Sequence, residues 1–401
     1  MTSIASRLAD IAFSQTLAMG RRAAAMRAAG RDVISLGLGE PDTAIPETVR
    51  AAAADAAHRG EGRSPPVEGI GILREAIAEK FKRDNALSYD ANQILVSSGS
   101  KQVIFNAMMA TLNAGDEVII PAPYWVSYPD IVRLAGGKPV PVSCPASAGH
   151  KMSADRLEAT ITRRTRWLIL NSPNNPSGAV YRREELLALA QVLRRHPGVL
   201  ILSDDIYEFF VYDPARFSTI ASVAPDLYDR TLTVNGFSKA YSMIGWRIGY
   251  AGGPRDLIEA MLKVQSQVTS GTATIVQAGA LEALRIPRDQ LIAVGAAYQV
   301  RRNRVLKLLA QVPKLSCPRP DGAFYVFPDC STYMGAVAPG KHRRVTSDED
   351  LAEFLLDEVA VVTVPGSAFG LGPTLRLSYT CPEDQLDEAF ARIAQALGSL
   401  Q

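Results

Sequence analysis

The chain has 401 residues, 47% of them hydrophobic, which is enough to bury a large core and predicts two or three domains rather than one. Its 43 Lys and Arg residues nearly balance its 41 Asp and Glu residues, and this balance argues against a nucleic-acid-binding surface. No apolar run is long enough for a membrane span or a secretory signal. The four cysteines are widely separated and form no C-x-x-C pair, so we expect no zinc site, no disulfide framework and a cytoplasmic location.

Short apolar runs alternate with helical patterns between about residues 93 and 252. The runs are rich in Val, Ile and Leu, too short for helices and without period-2 alternation, as expected of parallel strands buried on both faces. They are QILVSS (93–98), EVIIP (117–121), RWLILNSP (166–173), GVLILSDD (198–205), TLTVNG (231–236) and WRIGYAGG (246–253). Amphipathic segments such as REELLALAQVLRRH (183–196) lie between them. The alternation predicts an open α/β sheet with helices on both faces.

The pattern changes after about residue 290. A long charged helix (298–312) precedes the shorter apolar runs GAFYVFPD, AVVTVPGSAFG and LRLSYT. This texture predicts a second, smaller α+β domain at 291–401 behind a large domain at 46–290.

The predicted strands of the large domain end in polar turn residues: SSGSK, PAPYW, NSPNNPSG, SDD and NGFSK. In open α/β sheets, ligands bind beyond the carboxyl ends of the strands, so these endings are expected to form one site.

Two of these endings carry a lysine, an acid and a phenol that are suited to chemistry. Lys239 lies among small residues at a strand end, where a desolvated amine can form a Schiff base, although a surface lysine at a helix start is the common alternative. Asp204 follows a buried strand and Tyr207 follows three residues later. An acid beside a heterocyclic nitrogen keeps that nitrogen protonated, and a phenol can bond a ring oxygen, which is the combination that pyridoxal phosphate needs. A helix cap is the simpler interpretation of the acid.

The other endings offer further contacts for such a cofactor. SSGSK leads from a strand through a glycine into a helix, so backbone N–H groups and the helix dipole favour a phosphate, and Arg247 adds a permanent charge. Trp125 is suited to stack on a flat ring, and Asn175 to donate to a ring oxygen or a carboxylate. A core aromatic residue and a turn asparagine are the alternatives.

These residues stand in a longer series of motifs with the same order as a known family. The series is SLGLGEPD (35–42), PPVEGIGILREAIAEKF (65–81), SSGSKQ, PYWVSYP, LNSPNNPSGAVY, SDDIYE, NGFSKAYSMIGWRIGYAGGP, GAFYVF and VPGSAFG followed by RLSY. The chain resembles class I aminotransferases of fold type I, in the bacterial aspartate aminotransferase branch. The resemblance covers nearly the whole length.

The resemblance implies a role for each cofactor-binding residue. Lys239 would be the internal aldimine lysine, Asp204 the partner of the pyridine nitrogen and Tyr207 the partner of the ring hydroxyl. The phosphate and ring contacts would come from Arg247, the backbone at Ser100 and Lys101, Trp125 and Asn175.

The resemblance also implies how substrate binds. Asn175 and Arg376 would hold the α-carboxylate with help from the backbone at Gly39, beside Trp125. Lys101 is a candidate for reading a distal carboxylate, and a surface lysine at a helix start is its alternative. The expected reaction is ping-pong transfer of an amino group between an L-amino acid, such as aspartate or an aromatic amino acid, and a 2-oxo acid such as 2-oxoglutarate.

Three further expectations follow from the resemblance. Residues 1–45 would pack beside the small domain, which closes over substrate, and the enzyme would be a homodimer with its sites at the interface. The family commonly has a tyrosine where Ser64 stands, reaching the cofactor phosphate of the neighbouring subunit. The shorter Ser64 puts cofactor affinity, or the local path of residues 60–66, in question.

Several other functions are weighed against the aminotransferase. Carbon–sulfur lyases and cyclising synthases share the scaffold and the same lysine and aspartate, so they stay open as the alternative. A ligand-sensing half of a transcription regulator is not expected, because SLGLGEPD begins at residue 35 and leaves no room for a DNA-binding domain. A dinucleotide dehydrogenase is disfavoured because GLGEPD and GIGILR lack the third glycine, and SSGSK is not a Walker motif.

Overall fold

The computed structural model describes residues 4–11, 13, 15–338 and 344–400. Residues 1–3, 12 and 14 of the predicted N-terminal segment, and 339–343 and 401 of the predicted small domain, lie outside the described residues. The helices are α1 (Gln15–Ala28), α2 (Glu47–His58), α3 (Gly71–Asn85), α4 (Ser100–Thr111), α5 (Ser127–Leu134), α6 (Ala154–Thr160), α7 (Arg183–Arg195), α8 (Ile220–Val223), α9 (Arg255–Val268), α10 (Thr274–Ala283), α11 (Arg288–Leu309), α12 (Asp348–Val359) and α13 (Glu383–Gly398). The strands are β1 (Ile34–Ser35), β2 (Ile94–Ser97), β3 (Glu117–Ala122), β4 (Lys138–Ser143), β5 (Thr165–Asn171), β6 (Leu200–Asp204), β7 (Thr231–Gly236), β8 (Gly249–Gly252), β9 (Tyr325–Val326), β10 (Val361–Val362), β11 (Val364–Pro365) and β12 (Leu375–Ser378).

A seven-stranded sheet forms the centre of the large domain, in the order β2-β8-β7-β6-β5-β3-β4. The pairs from β7 through β4 are all parallel, which confirms the predicted mostly parallel α/β sheet. The prediction of a parallel strand was wrong for residues 246–253, because β8 runs antiparallel to both β2 and β7. The chain between β7 and β8 holds no crossover helix, only a short 3₁₀ turn at Ile244–Trp246, so it reverses direction.

The sequence analysis did not predict strand β4, which forms one edge of the sheet. Its sequence KPVPVS has Pro139 and Pro141, which pair with Val118 and Ile120 of β3. Proline cannot donate a backbone hydrogen bond, so it is tolerated only where one side of a strand needs no partner. An edge strand meets that condition, and the same prolines hide its strand character in the sequence.

Helices cover both faces of this sheet, as predicted. Successive residues of β5 point to opposite sides: Trp167 and Ile169 pack in the cluster that contains α4, α5 and α9. Leu168 and Leu170 pack in the cluster that contains α6, α7 and α8. Both clusters are apolar at their centres, which explains why the strands read as continuous hydrophobic runs.

Helix α7 illustrates how the sequence forms these covering helices. Leu186, Leu189, Ala190 and Leu193 recur at three- and four-residue spacing and are all buried. Acidic residues occupy its first turn and basic residues its last, which complements the helix dipole at both ends.

The C-terminal part has two small sheets, and the N-terminal segment adds a strand to one of them. Strand β1 pairs in parallel with β10, joining Ile34 to Val361. The second sheet is antiparallel in the order β11-β12-β9. One hydrophobic cluster contains Met19 and Leu36 together with Phe390 of α13, so the described part of residues 4–45 packs against the C-terminal part. The domain limits themselves stay a prediction, and α11 begins before the predicted limit at 290.

A buried polar network ties α3 to the strands that carry the site. Lys80 is fully buried and forms an ion pair with Glu208, which also accepts hydrogen bonds from Asn85 Nδ2 (2.6 Å) and Asn235 Nδ2 (2.9 Å). Glu208 directly follows Tyr207, and Asn235 lies in β7 four residues before the candidate Schiff-base lysine. The network therefore connects the segments on which both of these site residues stand.

Removing one partner of this ion pair is expected to destabilise the fold. Lys80→Met would leave the Glu208 carboxylate buried without its counter-charge, which costs about 3–5 kcal/mol in unfolding free energy. Urea denaturation measures the loss. The matched double variant Lys80→Met/Glu208→Gln removes both charges and is expected to recover part of it, whereas an equal loss in both variants would show that packing, not charge, dominates.

Candidate active site

The carboxyl ends of β2, β5, β6 and β7 meet at one edge of the sheet, and direct hydrogen bonds join them. Ser100 Oγ, just after β2, donates to the carbonyl of Asn235 in β7 (2.9 Å). Asn171 Nδ2, at the end of β5, donates to the carbonyl of Asp204 at the end of β6 (2.9 Å). The polar strand endings thus lie close together, and the candidate residues project from them.

Lys239 lies three residues beyond β7, and its amine is enclosed by backbone and aromatic rings. Its Nζ donates to the carbonyl of Gly39 (2.6 Å) and lies 5.6 Å from the ring centroids of both Tyr207 and Phe324. Burial lowers the pKa of Lys239 to about 8; the charge of Glu40 opposes this fall and that of Arg376 adds to it. A lysine with such a pKa is neutral far more often than a surface lysine, and the neutral amine is the form that attacks a carbonyl or accepts a proton.

Asp204 is the last residue of β6, and its buried carboxylate accepts a hydrogen bond from a tyrosine. Tyr128 Oη donates to Asp204 Oδ2 (2.6 Å), and the Ile206 N–H donates to Oδ1 (3.4 Å). Burial raises the pKa of Asp204 to about 6, while these hydrogen bonds oppose the rise. The carboxylate is therefore held in a fixed orientation and is mostly ionised at neutral pH, as pairing with a protonated ring nitrogen requires.

Tyr207 and Tyr325 form a hydrogen-bonded pair of phenols. Their hydroxyls lie 2.8 Å apart, and both side chains are almost completely buried. Burial raises the pKa of both phenols, so each is neutral and carries its proton. Tyr325 was not among the residues predicted for the site.

The loop from β2 into α4 has the features of an anion-binding cradle. Gly99 precedes the helix with φ +92°, and a Cβ there would lie 2.5 Å from Nη2 of Arg247, so only glycine fits. Helix α4 begins at Ser100, and the Gln102 N–H of its first turn donates to the Gly99 carbonyl (3.0 Å), whereas the N–H groups of Ser100 and Lys101 have no hydrogen-bond acceptor among the described residues. A guanidinium and free backbone donors therefore face one spot, which suits a phosphate.

Lys101 and Trp125 lie together beside this cradle. The ammonium of Lys101 is 4.9 Å from the centre of the Trp125 ring, and that ring packs edge-on against Tyr128 at 5.3 Å. Desolvation and the nearby charge of Arg247 lower the pKa of Lys101. Lys101 is exposed and forms no ion pair within the described residues, so its charge has no acidic partner there.

Arg376 stands on β12 with a side chain that is only 3% exposed. Nη1 donates to Asn175 Oδ1 (3.0 Å) and Nη2 donates to the Gly37 carbonyl (2.7 Å). The guanidinium also lies 4.8 Å from the Tyr325 ring centre. Its Nε has no hydrogen-bond partner among the described residues, so this buried charge has unused donor capacity for an anion.

The predicted site residues lie around this edge of the sheet together with Arg376 of β12, and the structure adds contacts that the sequence analysis did not give. The Gly39 carbonyl contacts Lys239, whereas the nearby carbonyl of Gly37 contacts Arg376. Ser64 is exposed. Tyr128, in the first turn of α5, was not predicted to belong to the site.

Known proteins are similar to this chain over nearly its whole length. A family model described as "Aminotransferase class I and II" matches residues 31–393. The chain belongs to this aminotransferase family. The enzyme is 52% identical over 396 residues to the aspartate aminotransferase of Rhizobium meliloti strain 1021, covering 99% of this chain and 96% of that protein. It is 51% identical over 393 residues to an aspartate/prephenate aminotransferase of Cereibacter sphaeroides, covering 98% of both.

Solved structures give the same result for the fold of the aminotransferase. The R. meliloti aspartate aminotransferase superposes with a TM-score of 0.96 at 51% identity, over 100% of both chains. The Thermus thermophilus aspartate aminotransferase solved with maleate superposes with a TM-score of 0.91 at 40% identity, over 99% of this chain and 100% of the other. The protein therefore has the fold-type I architecture.

The chain is a pyridoxal-phosphate-dependent aminotransferase, and the lyase or synthase alternative is not favoured. The donor set fits this cofactor: a desolvated lysine, a buried carboxylate and a cradle for a phosphate lie at one strand edge. Within the described residues, no helix is both long and apolar enough to cross a membrane.

Proposed function

We propose that the enzyme transfers the amino group of a dicarboxylic L-amino acid, aspartate in particular, to a 2-oxo acid such as 2-oxoglutarate. The observation that carries this proposal is the pair of cations at the site, Arg376 and Lys101, on different elements. The relatives named aspartate aminotransferase, and the T. thermophilus structure solved with maleate, a dicarboxylate, support it.

We infer the following roles for cofactor binding. Asp204 would face the ring nitrogen, Tyr207 the ring hydroxyl and Trp125 the ring plane. The phosphate would lie between Arg247 and the N–H groups that open α4 at Ser100 and Lys101. When bound, pyridoxal phosphate supplies an aldehyde that takes up the donor's amino group and a protonated ring that withdraws electrons from the reacting carbon.

We infer that the remaining site residues orient the donor and move its proton. Arg376 and Asn175 would hold the α-carboxylate and so fix the Cα–H bond relative to Lys239. The Nζ of Lys239, whose lowered pKa favours the neutral amine, would accept that proton. Gly39, whose carbonyl bonds this Nζ, would line the same side.

A panel of amino donors tests the proposal. We expect oxo-acid formation from aspartate with 2-oxoglutarate to exceed formation from phenylalanine, alanine and lysine at equal concentration. Because several relatives are named aspartate/prephenate aminotransferase, prephenate belongs in the panel as a second acceptor. No transamination from any donor would overturn the proposed reaction, and equal rates for all donors would overturn the proposed preference.

Lys101→Ala is expected to impair dicarboxylic donors selectively. A charge-assisted hydrogen bond in a partly desolvated pocket is worth about 1.5–3 kcal/mol, so kcat/KM for aspartate should fall about ten- to a hundredfold. Phenylalanine, which lacks a distal carboxylate, should change by less than about threefold. Steady-state kinetics with both donors measures the difference. Lys101→Met, which keeps the side-chain stem against Trp125, is the control. An equal fall in kcat/KM for both donors would mean that Lys101 contributes only to phosphate binding.

We also propose a homodimer with the site at its interface. Three large apolar side chains are exposed near the ends of helices α3, α9 and α10, Ile72 (56%), Val268 (56%) and Ile275 (39%), which is expected if a partner covers them. Sedimentation analysis of the active enzyme is expected to give twice the chain mass. A strictly monomeric, fully active enzyme would contradict the proposal. The three-part division of the chain at 45 and 290, a cytoplasmic location and a weaker cofactor contact at Ser64 stay predictions.

A further inference from the structure

Tyr325 contacts several residues of the candidate site, although the sequence analysis assigned it no role there. Its Oη lies 2.8 Å from the Oη of Tyr207, and its ring centre lies 4.8 Å from the guanidinium of Arg376. A Cβ placed on Gly39 would lie 2.3 Å from the same Oη, so the Gly39 backbone closes over the hydroxyl. Tyr325 is thus the shared neighbour of three residues that are expected to act on different parts of the reaction.

The direction of the hydrogen bond between the two phenols is fixed once Tyr207 donates its proton to a group bound in the site. A phenol has one proton and accepts through its oxygen lone pairs. If Tyr207 donates its proton to a ring oxygen, the bond between the two phenols must be donated by Tyr325. The described residues offer the Tyr325 hydroxyl no other hydrogen-bond acceptor. In this chain of two hydrogen bonds, the bond donated by Tyr325 polarises the Tyr207 hydroxyl, which is the donor to the ring oxygen. The same bond also holds the Tyr207 ring in place.

The ring of Tyr325 has a separate effect on Arg376. The guanidinium is buried between the rings of Tyr325 and Phe369, at 4.8 and 4.9 Å from their centres. Aromatic faces attract a cation, more strongly where water is excluded, and they restrict the guanidinium to one plane. Its bonds to Asn175 and to the Gly37 carbonyl complete that restriction, leaving Nε without a partner among the described residues.

We propose that Tyr325 is a positioning residue that orients Tyr207 through its hydroxyl and Arg376 through its ring. The proposal rests on the proposed function, because Tyr207 is assigned there to the cofactor ring and Arg376 to the substrate carboxylate. The two effects are separable, since Tyr325→Phe removes the hydroxyl and keeps the ring, whereas Tyr325→Leu removes both.

A double-mutant cycle tests the role of the hydroxyl. Equilibrium dialysis of pyridoxal phosphate is expected to show about three- to tenfold weaker binding for Tyr325→Phe, the value of one hydrogen bond. When Tyr207→Phe is already present, the same substitution is expected to change binding less than about twofold, because its partner hydroxyl is gone. No weakening by Tyr325→Phe alone, or an equal weakening with and without Tyr207→Phe, would overturn the proposal.

The kinetic constants for L-aspartate test the role of the ring. We expect Tyr325→Phe to leave KM within about twofold, and Tyr325→Leu to raise KM about three- to tenfold because the aromatic face no longer holds the guanidinium. Equal KM values for the two variants would refute the role assigned to the ring. Tyr379→Phe, which removes another buried hydroxyl that donates to the Ala323 carbonyl, is the control and should leave both measurements unchanged.

A second variant and the cofactor binding of the unsubstituted enzyme allow this inference to be tested separately from the proposed function. If Tyr325→Phe does not fold, Gly39→Ala is the second variant, because its methyl group would push the Tyr325 hydroxyl away. Gly39→Ala is expected to weaken cofactor binding by a similar factor, and to do so only while Tyr207 is present. Failure of the unsubstituted enzyme to bind pyridoxal phosphate would overturn the proposed function and this inference together. Normal binding by the unsubstituted enzyme with no effect of Tyr325→Phe would overturn the inference alone.

Discussion

Lys239→Ala is expected to lose nearly all transamination while the protein stays folded and still binds pyridoxal phosphate. The substitution removes the amine that we propose attacks the carbonyl and acts as the base that moves the proton. Loss of a positioned general base alone lowers turnover about 10²–10⁴-fold, and loss of the nucleophile adds to this. The groups proposed to bind the rest of the cofactor, at Asp204, Tyr207 and Arg247, do not depend on the lysine.

Three measurements check this expectation. Steady-state kinetics gives the fall in turnover, and equilibrium dialysis shows whether the cofactor still binds. Borohydride reduction followed by peptide mapping is expected to place the cofactor on the peptide that contains Lys239 in the unsubstituted enzyme only. Lys263→Ala, at an exposed lysine of α9, is the control. Normal turnover in Lys239→Ala would refute the assignment of the lysine.

Arg376→Ala is expected to lower kcat/KM for every donor, because every amino acid has an α-carboxylate. Removing a charged, bidentate hydrogen-bonding group from a buried site costs at least about 3 kcal/mol, or on the order of a hundredfold. Arg376→Lys keeps the charge but not the planar pair of donors, so its effect is expected to be smaller but still uniform across donors.

The burial of Arg376 makes a structural control necessary. Arg302 is also buried, donates to the Pro320 carbonyl (2.7 Å) and lies 5.1 Å from the Tyr212 ring, outside the candidate site. Arg302→Ala is expected to lower the unfolding temperature without changing the KM for any donor. Similar kinetic effects in both variants would mean that Arg376 matters for folding rather than for carboxylate binding.

Local features of the chain were enough to predict the mostly parallel sheet, apart from β4 and the direction of β8, and to propose candidate site residues at its strand ends. The buried strands are short runs rich in Val and Ile. The predicted parallel strands end in polar residues because the chain must turn there before the next helix. Those endings carry Lys239, Asp204 and the segment at Ser100. Their residue types and order favoured a strand-end lysine with an acid and a phosphate loop, and these roles stay predictions.

Only the tertiary structure decided the contacts between distant segments. The antiparallel direction of β8 depends on how a short loop folds back, and the edge position of β4 makes its two prolines acceptable. Tyr325 pairs with Tyr207 across 118 positions of the chain, and Arg376 bonds Asn175 across 201. Sequence patterns report the local periodicity of burial, whereas such pairs are set by how the elements pack, so no local pattern predicts them.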